Sequence, residues 1–131
     1  MGLIYLDSCL LIYAIEQDPV FGKRTLAALT KVPTALLAIS PLVKLECLVK
    51  PMREGNLVLQ QHYELALQQL TLLDMPDAVY QRATRLRAIA GIKTPDALHL
   101  ACAQHHGCEA IWTNDDRLTK AGHGLARNIL A

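Results

Sequence analysis

The sequence predicts an α/β protein in which a parallel sheet lies between layers of helices. Three observations carry this expectation. Short apolar runs recur along the chain, helical patterns fill the intervals between them, and the runs are apolar at consecutive positions instead of alternating. Continuous apolarity marks strands buried on both faces, and strands separated by helices pair in parallel. A length of 131 residues fits one domain spanning 1–131, with no linker, repeat or low-complexity segment to divide it.

The first run, GLIYL at 2–6, reads as a strand that stops at Asp7. Residues 8–17 switch to helical spacing until Asp18-Pro19, where the residue before proline is pushed out of the helical region. A second helix is expected over 20–31, with Lys23, Arg24 and Lys31 on its wet side, and ALLAI at 35–39 is the second strand. Ser40-Pro41 makes an N-cap and first-turn pair for the helix LVKLECLVK. Gly55 separates that helix from a long amphipathic one over 56–70, and a brief strand follows near 71–74. Pro76 opens a helix that Gly91 ends; Thr94 is placed to cap the next, with Pro95 at its first position, and that helix runs to Gly107. EAIWT at 109–113, a short helix and a strand over 125–130 complete the order.

Composition narrows the function classes. The chain is 52% hydrophobic and poor in aromatics, which predicts an aliphatic core and excludes disorder. Its 13 basic and 12 acidic residues give a net charge of +1, so bulk charge points to neither nucleic acid nor membrane. No uncharged run approaches the ~20 residues that span a bilayer, and the N-terminus lacks a basic leader region, which predicts a soluble, cytoplasmic protein. The four cysteines form no CxxC pair and read as reduced, buried thiols. Cys102, His105, His106 and Cys108 lie close enough to raise zinc, but their spacing is not that of a finger, and a helix end with a solvated His pair is the preferred reading.

The informative residues are acids at the edges of apolar elements. Ligands of open parallel sheets bind beyond the carboxyl ends of the strands. Asp7 ends the first strand, while Asp115 and Asp116 follow the fourth. Glu46 emerges from a helix face beside Leu42, Val43 and Val49, where Lys50 at i+4 is its ordinary partner. Asp96 sits in a first helical turn, which the helix dipole favours. Asp7 has an ordinary role as cap of the helix that follows it. Thr113 with Asp116 resembles a capping box, which leaves Asp115 to face the cleft. Each acid alone has a structural account; together they make a self-repelling cluster that a cation would neutralise. Oxygen donors suit Mg²⁺ or Mn²⁺ and the hydrolysis of phosphodiesters.

The stretches IYLDSCLLIYAIE, SPLVKLEC, TPDALHLACA and IWTNDDRL resemble, in order and spacing over essentially the whole chain, the PIN-domain ribonucleases, and among them the VapC-type toxins of toxin–antitoxin pairs. The resemblance implies a three-layer α/β fold with a central parallel sheet of about five strands. It implies Asp7, Glu46, Asp96 and Asp115 as the catalytic, metal-binding acids, with Asp116 as the alternative to Asp115 for the last metal-facing position. Ser8 and Thr113 match hydroxyl residues that orient carboxylates or metal-bound waters. The implied cofactor is Mg²⁺, with Mn²⁺ as a substitute; the implied partners are an RNA substrate, a small cognate antitoxin and a second copy of the chain. His99 reads as a packed or capping histidine in preference to a general acid or base. Arg82, Arg85, Arg87 and Lys93 form an acid-free basic stretch ahead of Asp96 that could contact phosphates or simply be solvated. The competing readings are a housekeeping RNA-processing nuclease without an antitoxin, a non-catalytic binding module, and a phospho-accepting receiver domain, which the placement of Glu46 fits poorly.

Overall fold

A computed structural model describes residues 2–131 of the chain. In order, the elements are β1 (Ile4–Leu6), α1 (Ser8–Ile15), α2 (Gly22–Thr30), β2 (Leu37–Ile39), α3 (Pro41–Arg53), α4 (Leu57–Gln68), β3 (Thr71–Leu72), α5 (Asp77–Ala90), α6 (Thr94–His105), β4 (Ala110–Thr113), α7 (Asp116–Ala121) and β5 (Ala126–Asn128). The strands form one five-stranded sheet in the order β3-β2-β1-β4-β5, and every pairing is parallel. The expected α/β architecture is therefore the observed one: a parallel sheet flanked by seven helices.

From β1 the chain builds outward to β2 and β3, then crosses back to lay β4 against the opposite edge of β1. That reversal opens a crevice at the carboxyl ends of β1 and β4, where a doubly wound sheet binds its ligand. The registers Tyr5↔Ile111 and Leu6↔Trp112 hold the two strands level, so that Asp7 and Thr113 emerge side by side. Burial enforces this. Tyr5, Leu6, Ile39, Leu100 and Ile111 are almost wholly buried, each worth about 1.5–3 kcal/mol of apolar burial in the case of the aliphatic side chains.

Several boundaries differ from the sequence expectation. Residues 34–36 form a single 3₁₀ turn, so β2 begins at Leu37. The helix expected to end near Lys50 continues to Arg53 with Pro51 inside it, because a proline in the last turn forfeits only one backbone bond. Ser40 caps α3 as expected, its hydroxyl accepting from the Val43 N–H at 3.4 Å. Gly91 ends α5 with φ 66°, a left-handed conformation that suits glycine. Thr94 is the first residue of α6 and Lys93 occupies the cap position, with no side-chain cap bond. Among the described residues no helix is long and apolar enough to cross a membrane.

Candidate active site

The crevice between β1 and β4 is a cavity of about 570 Å³ lined by Asp7, Ser8, Glu46, Asp96, Asp115 and Asp116, with His99 and Arg117 beside them. Four elements deliver these groups. The Asp7 N–H donates to the Trp112 carbonyl at 3.0 Å, which fixes the end of β1 against β4. The Asp7 carboxylate accepts from the fully buried Thr113 hydroxyl at 2.7 Å, and the same Thr113 oxygen accepts from the Asp115 N–H at 2.9 Å. One hydroxyl thus aligns the acid of β1 with the loop that carries the last acids. Asp7 occupies the cap position of α1, but its side chain makes no cap bond there.

Glu46 reaches the crevice from α3. Its partner is not Lys50, which instead pairs with Glu16 at 2.7 Å. Glu46 Oε1 lies 2.8 Å from His99 Nε2. His99 is 2% exposed, its Nδ1 is 2.7 Å from the Tyr5 hydroxyl, and that hydroxyl is 2.7 Å from Ser40 Oγ. Burial pushes the Tyr5 phenol far up, so it stays protonated and donates. With Tyr5 donating to Nδ1, Nε2–H is the donor to Glu46, and one histidine tautomer satisfies every contact in the chain. The chain runs from Ser40 at the start of α3, through β1 and α6, back to Glu46 on α3. His99 Nε2 is also 3.9 Å from Asp7 Oδ1.

The electrostatics are those of crowded carboxylates. Burial raises Glu46, but the hydrogen bond from His99, with help from the Ser8 hydroxyl, outweighs it and holds the carboxyl below its ordinary value. Asp96 moves the other way: burial raises it first, then the charges of Asp115 and Asp7. Donor atoms of Asp7, Glu46 and His99 lie within 4.8 Å of one another, and with both ring nitrogens of His99 already bonded it is the two carboxylates that are placed to share a cation. Carboxylate oxygens from both sides of the crevice are donors of the kind that Mg²⁺ or Mn²⁺ takes.

The last two acids divide their roles differently from the capping-box expectation. Asp115 is itself the N-cap of α7, its carboxylate accepting from the Arg117 N–H at 2.8 Å. Thr113 is taken up by Asp7, and Asp116 accepts from Asn128 Nδ2 at 2.9 Å. Both acids line the cavity. The expected basic stretch is spread over α5 and the loop after it. Arg87 donates to Thr94, Arg82 donates to Gln104 at 3.4 Å, and neither Arg85 nor Lys93 lines the acidic cavity. Arg117, which the sequence reading passed over, does line it, with Nε 3.6 Å from Asp115 Oδ1. Its signal was its place after the acid pair in NDDRL, in the first turn of a helix that starts at the site. The Cys102–Cys108 segment is occupied otherwise: Cys102 and His106 both bond the Asp74 carbonyl, at 3.8 and 2.8 Å.

A family model described as the PIN domain matches residues 4–124, so the chain belongs to the PIN-domain family. No curated protein matches the sequence. Among solved structures, the chain is similar to a toxin–antitoxin complex from Klebsiella pneumoniae, at 23% identity and TM-score 0.80, covering 96% of this chain and 97% of that one. It is similar to VapBC2 from Rickettsia felis bound to a promoter DNA fragment, at 20% identity and TM-score 0.76, covering 96% and 98%. It is also similar to VapC20 of Mycobacterium tuberculosis, a toxin that cleaves the sarcin–ricin loop, at 14% identity and TM-score 0.76, covering 91% and 95%. At these identities the likeness is one of fold.

Proposed function

We propose that residues 1–131 form a single Mg²⁺-dependent endoribonuclease domain that acts as the toxin of a toxin–antitoxin pair in the cytoplasm. The observation that carries this reading is the meeting of Asp7, Glu46, Asp96, Asp115 and Asp116 in one cavity at the switch point of a PIN-family sheet. Similarity of fold to toxin–antitoxin complexes, and to a toxin described as cleaving the sarcin–ricin loop, supports the choice of substrate and partner.

Asp7, Glu46, Asp96 and Asp115 would hold Mg²⁺ or Mn²⁺, which when bound supplies an activated water and balances charge on the reacting phosphate. The remaining work falls to the chain itself. Thr113 fixes the Asp7 side of the site, and His99 and the Ser8 hydroxyl hold the Glu46 carboxylate at the cavity. Arg117 offers a cation at the rim for a phosphate oxygen. An antitoxin and a second copy of the chain have surface to cover: Leu45, Val49 and Met52 on α3 and Leu57, Val58 and Leu65 on α4 are exposed apolar side chains.

The test is cleavage of total RNA by purified protein with Mg²⁺, beside Asp7→Asn and Asp96→Asn. Discrete cuts that EDTA and both substitutions abolish support the reading; equal activity in all three proteins, or in none, sinks it. A housekeeping nuclease would cut by the same chemistry, and the absence of a short reading frame beside the gene would favour it.

A further inference from the structure

Two hollows continue the acidic crevice along one flank of the molecule, and their lining changes sign. The first, about 480 Å³, shares Asp96 and Arg117 with the crevice and adds Lys93, Lys120 and His123. The second, about 340 Å³, shares Ala90 and His123 with the first and adds Arg82 and Arg85. Asp96, at the junction, is the sole acid lining either hollow among the described residues. The path thus leads from the carboxylates past Arg117, Lys93, Lys120 and His123 to Arg82 and Arg85. Along α5 alone it covers ~12 Å between Ala90 and Arg82, at the ordinary helical rise.

Three of the cations on this path are free to bind, while Arg117 lies beside Asp115 and Arg82 donates to Gln104. Lys93, Lys120 and Arg85 are exposed, and their side chains make no hydrogen bond or ion pair among the described residues. Apolar side chains stand beside them: Ile92 in the first hollow, Leu86 and Ile89 in the second, with Ile89 85% exposed. The wall of the crevice formed by Cys9, Tyr13 and Asn114 carries no cation.

We propose that this flank is a track for single-stranded RNA, holding the substrate on one side of the scissile phosphate only. The proposal rests on the nuclease reading and adds the form and direction of the substrate. Lys93, Lys120, Arg85 and Arg117 take phosphates; Ile89, Leu86 and Ile92 give bases an apolar surface. A duplex keeps its base faces stacked and would leave those side chains uncovered, whereas a single strand presents them. A one-sided row of cations predicts one-sided dependence on substrate length. Nucleotides on the track side of the cut contribute to binding, and those on the Tyr13 side do not.

The experiment measures binding of a short fluorescein-labelled single-stranded RNA of mixed sequence in EDTA, which prevents cutting, across a range of salt. Wild type is compared with the combined Arg85→Gln, Lys93→Gln, Lys120→Gln variant, and with a control that removes three cations elsewhere, Lys23→Gln, Lys31→Gln, Arg53→Gln. Three lost phosphate contacts should lower the slope of log K against log salt by about 2 and weaken binding at least about tenfold, while the control stays near wild type. A duplex of the same sequence should bind more weakly than the single strand. With active protein and Mg²⁺, shortening the RNA on one side of the mapped cut should raise KM, and shortening it on the other should leave KM unchanged.

An unchanged slope and affinity in the track variant overturns the proposal and leaves these cations to an acidic protein segment instead. Equal loss in the control, a preference for duplex, or length dependence on both sides also overturns it. If wild type binds through the track and cuts nothing, the nuclease reading falls while the track stands.

Discussion

At the scale of single residues, the arrangement turns on His99. It is a buried imidazole with two anionic neighbours, Glu46 at 2.8 Å and Asp7 at 3.9 Å, and a phenol behind it. Because Nε2–H is spent on Glu46, the ring positions a carboxylate of the proposed metal site and is not itself a ligand there. His99→Gln keeps a donor but shortens and re-aims it, whereas His99→Ala leaves a buried carboxylate contact unmet and a void. We expect His99→Ala to lose about 10–100-fold in metal affinity or activity, the usual cost of removing such support, with His99→Gln recovering part of it. Calorimetric Mg²⁺ titration of folded variants checks this; wild-type affinity in His99→Ala would remove the ring from the site. Asp7, Glu46, Asp96 and Asp115 were legible as candidates because each stands at a strand end or on a helix beside one, and the fold brings all four to one cavity. It set His99 aside as a packed or capping side chain and offered no partner for it. The partners of the chain are 35, 94 and 53 residues apart, and no local spacing encodes such contacts.

At the scale of elements, α1, α3 and α4 meet at Glu16. Lys50 on α3 pairs with one of its oxygens at 2.7 Å, and Tyr63 on α4 donates to the other. The expected Glu46–Lys50 pair lost because Glu46 turns inward to His99 and leaves the lysine to the end of α1. Burial raises Glu16, but the bonds from Lys50 and Tyr63 and the lysine charge outweigh it and hold the carboxyl below its ordinary value. Burial, then Glu16 itself, keeps Tyr63 protonated as the donor. A carboxyl lowered in the folded state contributes stability above its unfolded pKa and loses it as pH falls through the folded value. Wild type should therefore lose stability on the acid side through the carboxylate range, and Glu16→Gln should flatten that part of the profile while lowering stability near neutrality. Parallel acid-side curves for the two proteins in denaturant titrations would discount the cluster. Element order was legible throughout because apolar runs and the caps Ser40 and Gly91 act locally. Strand ends were less so: whether Ala35 and Leu36 extend β2 or form a 3₁₀ turn is decided by pairing with strands elsewhere.

At the scale of the whole molecule, the fold gathers like charge at the point where its sheet reverses. Carboxylates from β1, α3, α6 and the α7 cap share one cavity, and Asp96 is raised by burial and by the charges of Asp115 and Asp7. Such a cluster opposes folding when no cation is present and favours folding when one is, because the folded chain alone brings the ligands together. Mg²⁺ at ten times its Kd should add about 1.4 kcal/mol, or roughly 5 °C in Tm for a chain of this length. Asp96→Asn removes one of the opposing charges while keeping the size of the side chain. Without metal it should melt higher than wild type; with saturating Mg²⁺ or Mn²⁺ it should gain less, so the order of the two proteins reverses. Thermal melts of both, in EDTA and across a metal titration, decide the matter. A crossing of the two curves identifies the acids as a cation site whose ligands oppose one another until filled. If Asp96→Asn melts at or below wild type in EDTA and both rise equally with metal, the cation binds elsewhere and these carboxylates are held apart by the scaffold alone.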